Sequence, residues 1–274
     1  MNLIDRRKHM FSAGSTGYMP DPRPLGRAWS RSVDWAFEAA DMNVGDIILP
    51  LKNLASHGPG LQGDRLSCVA FSVAAVIRQQ INYNPSLLHL WYCSRQNHGA
   101  EHKLTGTYIS SCLHAMDNRG FGPESLWPYD LSDDAAIEVP SLEVRQYADD
   151  NRKRVHYLRM KDDYEQSYSF HRPLIVGLRI GDTFLEYEGG EHDVLSSAGR
   201  SAYGGHCVAA FGFRTRYRGG SLEREHAIVN FWQGWGSPLT DAEGYHIDGQ
   251  CAWISEEIMR EATDVWSVAL PRSP

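Results

Sequence analysis

The chain has 274 residues, 42% hydrophobic and 22% charged, with a formal net charge of −7, a balance that suits a globular protein built as one large domain or two lobes. Its acidic residues are spread along the sequence rather than gathered in a block, which speaks against a nucleic-acid partner. No apolar run approaches the roughly 18 residues of a membrane helix, and MNLIDRRKHMFSAG carries basic residues without an apolar stretch behind them, so neither a membrane location nor a secretory leader is expected.

Residues 1–45 are mixed in character, with one short helix expected around Ala28 to Ala40, and read as an N-terminal extension. From Asp46 to Gly63, DIILPLKNLASHGPGLQG begins as a strand and dissolves into a Gly/Pro/His loop. Cys68 to about Ile81 then predicts a helix buried on most sides, because Val69, Phe71, Val73, Ala74, Val76 and Ile77 leave almost no polar stripe. Ser67 is its expected cap. Two more helices are expected at Pro85 to Asn97 and Thr107 to Asn118, the second closed by Arg119-Gly120. Beyond Pro140 the texture turns to strands: LIVGLRI (174–180), HCVAAFGF (206–213) and HAIVNFW (226–232), separated by glycine-rich turns. The division expected is therefore a mainly helical lobe at 46–140 and a mainly β lobe at 141–270, an α+β protein with a cleft between its lobes.

Five cysteines stand at 68, 93, 112, 207 and 251 without paired short spacings. Neither a zinc site nor a dense disulfide framework is suggested, and a reducing compartment fits. A thiol attacks a carbonyl as thiolate, whose formation a helix N-terminus and a neighbouring imidazolium favour. Only Cys68 follows a polar, glycine-containing loop and opens a buried helix; Cys93 and Cys112 fall inside helical patterns. His206 stands behind Tyr203-Gly204-Gly205, where side-chain-free backbone leaves a cleft open. Asn230, ahead of Phe231-Trp232-Gln233-Gly234-Trp235-Gly236, supplies an amide to hold the imidazole. Asn97-His98-Gly99-Ala100-Glu101-His102 and His192 lack the His-Glu-x-x-His order and a third ligand, and read as solvated loop rather than metal site.

These residues resemble a known family. Gln62-Gly63-Asp64-Arg65-Leu66-Ser67-Cys68-Val69-Ala70-Phe71-Ser72 is similar to the nucleophile segment of the papain-like cysteine peptidases, Gln-Gly-x-x-x-Ser-Cys-x-Ala-Phe-Ser. Gly106-Thr107-Tyr108-Ile109 and Gly120 through Tyr129 resemble that family's substrate-side helix and Glu-x-x-x-Pro-Tyr turn, especially in its bacterial branch. Pro173 to Leu178, Phe184 to Gly190, Gly205 to Phe213 and Asn230-Phe231-Trp232 follow the second lobe in order, so that the resemblance covers about residues 46 to 258.

The resemblance implies a papain-like two-lobe fold and a peptidase in which Cys68 attacks, His206 is its base and Asn230 orients that base. It gives Gln62 the role of oxyanion donor, Trp232 that of a shield over the Asn230–His206 bond, and Gly106 and Gly205 that of backbone partners for an extended substrate. Trp235 reads as a core aromatic. The implied partner is a protein or peptide substrate, with no cofactor and no metal. Two rival readings keep the same residues: another thiol acyl transfer, such as deamidation or transamidation, and a pseudo-peptidase that binds a peptide without cutting it.

The sequence also departs from the family. Arg65 replaces the cysteine that forms a disulfide in secreted members, Val69 replaces a tryptophan, and the Asn-Ser-Trp-Gly-x-x-Trp-Gly pattern is one residue shorter here. The loop Ala55 to Leu61 reads as an insertion. Only 67 residues precede Cys68, too few for the family's usual inhibitory pro-segment plus the mature N-terminal strand, so control by propeptide removal is not expected. Location in the cytoplasm, or export as an effector without a signal peptide, is compatible with all of this.

Overall fold

The structure is a computed structural model that describes residues 3–12, 17–22, 46–56, 58, 60–81, 83–162, 164–169, 171–190, 194–195 and 203–271. The helix expected around Ala28 to Ala40 lies outside these residues. Helix α1 is Leu3–Ser12, strand β1 Ile47–Ile48 and α2 Lys52–Ala55. A helical group follows: α3 Cys68–Arg78, α4 Leu87–Gln96, α5 Ile109–Arg119, α6 Asp133–Ile137 and α7 Leu142–Asp150. The remainder is β2 His156–Met160, α8 Tyr164–Ser169, β3 Leu174–Ile180, α9 Asp182–Leu185, β4 Val194–Leu195, β5 Gly204–Arg218, β6 Ser221–Val229, β7 Ser237–Thr240, β8 His246–Ser255, α10 Glu256–Glu261 and β9 Asp264–Ala269.

Every residue of α3 is buried, as its near-continuous apolar sequence requires. It packs on α4 and α5 on one side and on β3, β5 and β9 on the other. At about 1.5–3 kcal/mol for each fully buried Val, Ile or Phe, this helix is a principal fixed point of the fold. Ser86 caps α4 by accepting from the His89 N–H at 3.2 Å. α5 ends at Gly120 with φ +69°; a Cβ there would meet the Ala148 carbonyl, which confines the position to glycine.

The strands form one sheet in the order β2-β9-β3-β5-β6-β8-β4, with β1 added to β5 and β7 to β8. All pairs are antiparallel except β4 with β8. The long central strand β5 pairs with β3 through its first half, Leu178 opposite His206, and with β6 through the rest, Ala209 opposite Val229. His206 thus sits near one end of the best-held strand, and Asn230 one residue past the end of its neighbour. The sheet and the α3–α5 group are the two sides of an α+β, two-lobe fold, and Cys68 opens the helix between them.

Candidate active site

Cys68 is the first residue of α3, and the backbone N–H groups of Cys207 and Val69 lie towards its sulfur and favour its thiolate. The Cys207 contact sets the thiol beside the strand residue that follows His206. Ser67 does not cap the helix as expected: its side chain makes no cap bond, because its hydroxyl is drawn 2.9 Å from the Tyr129 hydroxyl instead. The N–H groups of the first turn are left to the sulfur and to whatever occupies the cleft.

His206 is fully buried, with Nε2 2.8 Å from Asn230 Oδ1. An amide oxygen can only accept, so Nε2 carries the proton and Nδ1 is the basic nitrogen. The same oxygen also accepts the Phe231 N–H at 2.8 Å, which fixes the Asn230 amide the right way round. Trp232 stacks on the imidazole at 4.2 Å between ring centroids and 29° between planes, excluding water from this bond. Phe184 meets both rings edge-on. Trp235 is buried with its indole N–H donating to Phe184 O at 2.6 Å, a core position that holds Phe184 in place.

Gln62 lies in the loop ahead of α3, tied to the same corner because its backbone N–H donates to Phe231 O at 2.9 Å. Its side-chain amide donates one N–H to the Arg65 carbonyl, which orients the group and leaves its second N–H for another acceptor. Tyr129 braces this loop: its hydroxyl donates to Gln62 O at 3.0 Å while lying beside Ser67 Oγ. Glu124 in turn accepts the Tyr129 N–H at 2.5 Å and the Leu87 N–H at 3.1 Å. The Glu-x-x-x-Pro-Tyr turn, legible only as a family likeness, is thus the prop under the nucleophile loop. Arg65, in place of a disulfide cysteine, pairs with Asp133 at 2.9 Å and donates to Leu131 O.

The N-terminal extension is not a detached appendage. Residues 17–19 run through the cleft: Thr107 N–H donates to Gly17 O (3.2 Å), Met19 N–H to Thr107 O (3.0 Å), and Tyr18 N–H to Gly205 O (3.3 Å). Gly205 therefore faces an extended peptide, whereas on the helical side the backbone partner is Thr107 rather than its neighbour Gly106. A Cβ on Gly17 would come within 2.7 Å of the Cys68 sulfur, so only a bare backbone fits over the thiol. Helix α1 is anchored nearby through Arg7, which donates to Leu185 O (2.9 Å) and Gln233 O (2.7 Å) and lies 5.7 Å from the Trp232 ring centre. An open pocket of about 570 Å³ remains between α1 and the nucleophile loop, with Arg7, Gly63, Leu66 and Trp232 among its lining.

This cover sets the protonation states. Burial pushes the Cys68 thiol up to about 12 against the opposing backbone N–H groups, and burial pushes His206 down to about 4 despite the Asn230 bond. The expected solvent-reaching thiolate is absent from this closed arrangement because desolvation outweighs the helix terminus. Cys93, Cys112, Cys207 and Cys251 are buried free thiols, as is Cys68. His98 Nε2 lies 3.1 Å from Thr107 Oγ1. No group of three or more potential metal ligands occurs among the described residues, and His192 lies outside them. No described helix is long and apolar enough to cross a membrane.

No protein-family model matches the sequence, and no curated protein matches it. Solved structures do match. Xylellain, a cysteine protease from Xylella fastidiosa, superposes with a TM-score of 0.70 at 20% identity, over 94% of this chain and 97% of its own. Procathepsin B S9 from Trypanosoma congolense gives 0.67 at 14% identity, over 100% and 90%. Bromelain from Ananas comosus gives 0.55 at 18% identity, over 80% and 98%. The chain has the papain-like cysteine peptidase fold, and among the structures sharing it is a bacterial protease.

Proposed function

We propose that this protein is a cysteine peptidase held in a covered, latent form. The observation that carries the reading is the His206 Nε2 to Asn230 Oδ1 bond of 2.8 Å beneath Trp232, one residue from the Cys207 N–H that contacts the Cys68 sulfur. It leaves His206 Nδ1 as the base for the Cys68 thiol. Once the cleft is open, proton transfer from Cys68 to Nδ1 generates the nucleophile. The thiolate adds to a peptide carbonyl, and the Cys68 N–H together with the second N–H of Gln62 receives the negative oxygen. The imidazolium gives its proton to the leaving amine, and water, deprotonated by the same imidazole, then releases the thioester. No step calls for a metal or cofactor, and the substrate is a protein or peptide in extended form between Thr107 and Gly205.

The test is turnover of a mixed fluorogenic peptide library by the purified chain under reducing conditions, with and without Tyr18→Ala to loosen the cover, and with Cys68→Ala as control. Cleavage in the loosened chain that disappears with Cys68→Ala supports the peptidase. Rapid Cys68 labelling by iodoacetamide without any cleavage would overturn it in favour of a different acyl acceptor.

A further inference from the structure

Arg65 stands three residues ahead of the thiol, where a disulfide cysteine would tie down the nucleophile loop in secreted members of the family. The two ends of this arginine make different contacts. Its backbone carbonyl accepts one N–H of the Gln62 side chain. Gln62 is buried, and its Oε1 has no hydrogen-bond partner among the described residues, so the Arg65 carbonyl is the polar group that sets the direction of the amide. The guanidinium is buried as well but leaves the loop, donating to Leu131 O and pairing with Asp133 at 2.9 Å. That far anchor is itself fixed. Leu131 packs its side chain on Gly63, where a Cβ would come within 2.7 Å of it at a φ of +64°. Ser132 accepts the Ala135 N–H at 3.3 Å to open α6, and near the other end of α6 the carbonyl of Ala136 accepts from the fully buried Arg95 of α4. Just ahead of it, the Tyr129 hydroxyl donates to Gln62 O at 3.0 Å. Residues 129–136 therefore form a bracket that touches Gln62, Gly63 and Arg65 on one side and is held to α4 on the other.

We infer that Arg65 is a positioning residue for the oxyanion. By gripping the bracket it holds its own carbonyl, and through that carbonyl the Gln62 amide, in the direction that leaves the second amide N–H for the negative oxygen. This rests on the peptidase reading of the cleft. Where a disulfide would make the tie covalent and dependent on oxidation, Arg65 makes it with hydrogen bonds and charge, which hold in a reducing medium. Of its two grips, the one on Leu131 O dominates, because a hydrogen bond from a charged donor is among the stronger kinds. The Asp133 side chain is 76% exposed, and an ion pair with so exposed a partner is screened by water and salt. A guanidinium reaches the carbonyl and the carboxylate together through separate nitrogens, whereas the single ammonium of a lysine does not reproduce that fork.

The test compares two reactions of Cys68 in the full-length Tyr18→Ala chain. A peptide aldehyde, acetyl-Leu-Leu-leucinal, adds to the thiol: a carbon–sulfur bond forms, the thiol proton ends on the former carbonyl oxygen, and that oxygen lies where the oxyanion would. Iodoacetamide alkylates the same sulfur with loss of iodide and offers no such oxygen. Arg65→Met should weaken the aldehyde, read as protection of Cys68 from iodoacetamide, by about 10–100-fold, while the alkylation rate without aldehyde stays unchanged. In peptide turnover the same variant should lower kcat with KM unchanged, as befits an interaction made in the transition state. Asp133→Asn should weaken the aldehyde by less than about threefold, and Arg65→Lys should fall between the two. In a chain already carrying Gln62→Ala, adding Arg65→Met should have no further effect, since Arg65 acts through Gln62. Should Arg65→Met melt below the assay temperature, Arg65→Lys carries the same comparison.

Equal losses in alkylation and in aldehyde protection would make Arg65 a support of the whole loop and overturn the inference. So would no loss in either, a full Arg65→Met effect in the Gln62→Ala chain, or an aldehyde that gives the chain with Arg65 intact no protection at all. Protection that depends on Arg65 in a chain that cleaves no peptide would sustain the positioning role and sink the peptidase reading. Cleavage untouched by the Arg65 variants would overturn the positioning role alone.

Discussion

The cradle of the candidate site and the segment that covers it are built on opposite principles. Cys68 opens a fully buried helix, His206 lies on the central strand of the sheet and Asn230 just past the end of its neighbour, and each is held by backbone partners as well as by packing. Residues 17–19 add no paired strand: they touch both lobes through three backbone bonds, and one tyrosine and one arginine do the anchoring. On the peptidase reading proposed above, the cradle must survive every cycle of catalysis while the cover has to leave; the first is part of the core, and the hold of the second is concentrated in a few polar contacts that can be broken without unfolding the rest.

That contrast predicts effects of opposite sign. The largest belongs to the cradle: Cys68→Ala should bring peptide turnover down by on the order of 10⁶-fold, while the melting temperature moves little because a thiol gives way to a methyl group. Gln62→Ala should lower kcat by about 10²–10³-fold, with slower acylation visible in single-turnover kinetics and little change in the reactivity of Cys68 itself. In the cover, Tyr18→Ala should do the reverse and accelerate iodoacetamide labelling of Cys68 by at least about 10²-fold, since removing a buried aromatic costs the closed state about 3–5 kcal/mol. An unchanged labelling rate would show that the cover is not what hides the thiol.

Acid should act in the same direction with a smaller effect. The closed site holds His206 neutral, with its pKa pushed down to about 4 from 6.5. Its contribution to closure is complete above pH 6.5 and is lost as pH falls towards 4. Cys68, pushed up to about 12 from 9.0, contributes through its protonated form, fully below pH 9 and less only above it. Between pH 7 and pH 5 the closed state should therefore weaken by about 2 kcal/mol, measured as Cys68 labelling relative to the Tyr18→Ala chain at each pH. The smallest effect expected is that of Tyr129→Phe, which removes the brace on Gln62 and Ser67. It should cost about 1–2 kcal/mol, read as a drop in melting temperature of roughly 2–4 °C per kcal/mol, with a fall in kcat well short of that for Gln62→Ala.

Much of the cradle was legible because local pattern and chemistry coincide there. The run after Ser67 is apolar on every side, so it had to be a buried helix, and a cysteine at its first residue among polar and glycine neighbours stands out. The strand at 174–180 and the helices near 87–96 and 109–119 follow from periodicity and from stops such as Gly120. Strand β6 runs from Ser221 to Val229 rather than to Trp232, because the chain leaves the ladder to turn Asn230 towards His206. Ser67 has the residue type of a cap, but its hydroxyl is claimed by Tyr129, more than sixty positions away.

What the amino-acid sequence by itself determined is the candidate set of groups: a thiol at a helix start, an imidazole on a buried strand, and an amide and an indole beside it, each marked by residue type and nearest neighbours. What only the tertiary structure decided is the state of that set. Tyr18 lies in Gly-Tyr-Met-Pro-Asp-Pro, a stretch with no periodicity, and its partners Thr263 and Asp264 are some 245 positions away. Burial, and with it the protonation of Cys68 and His206, depends on which distant segment lies across the cleft, and that is set by long-range packing and desolvation rather than by any local pattern.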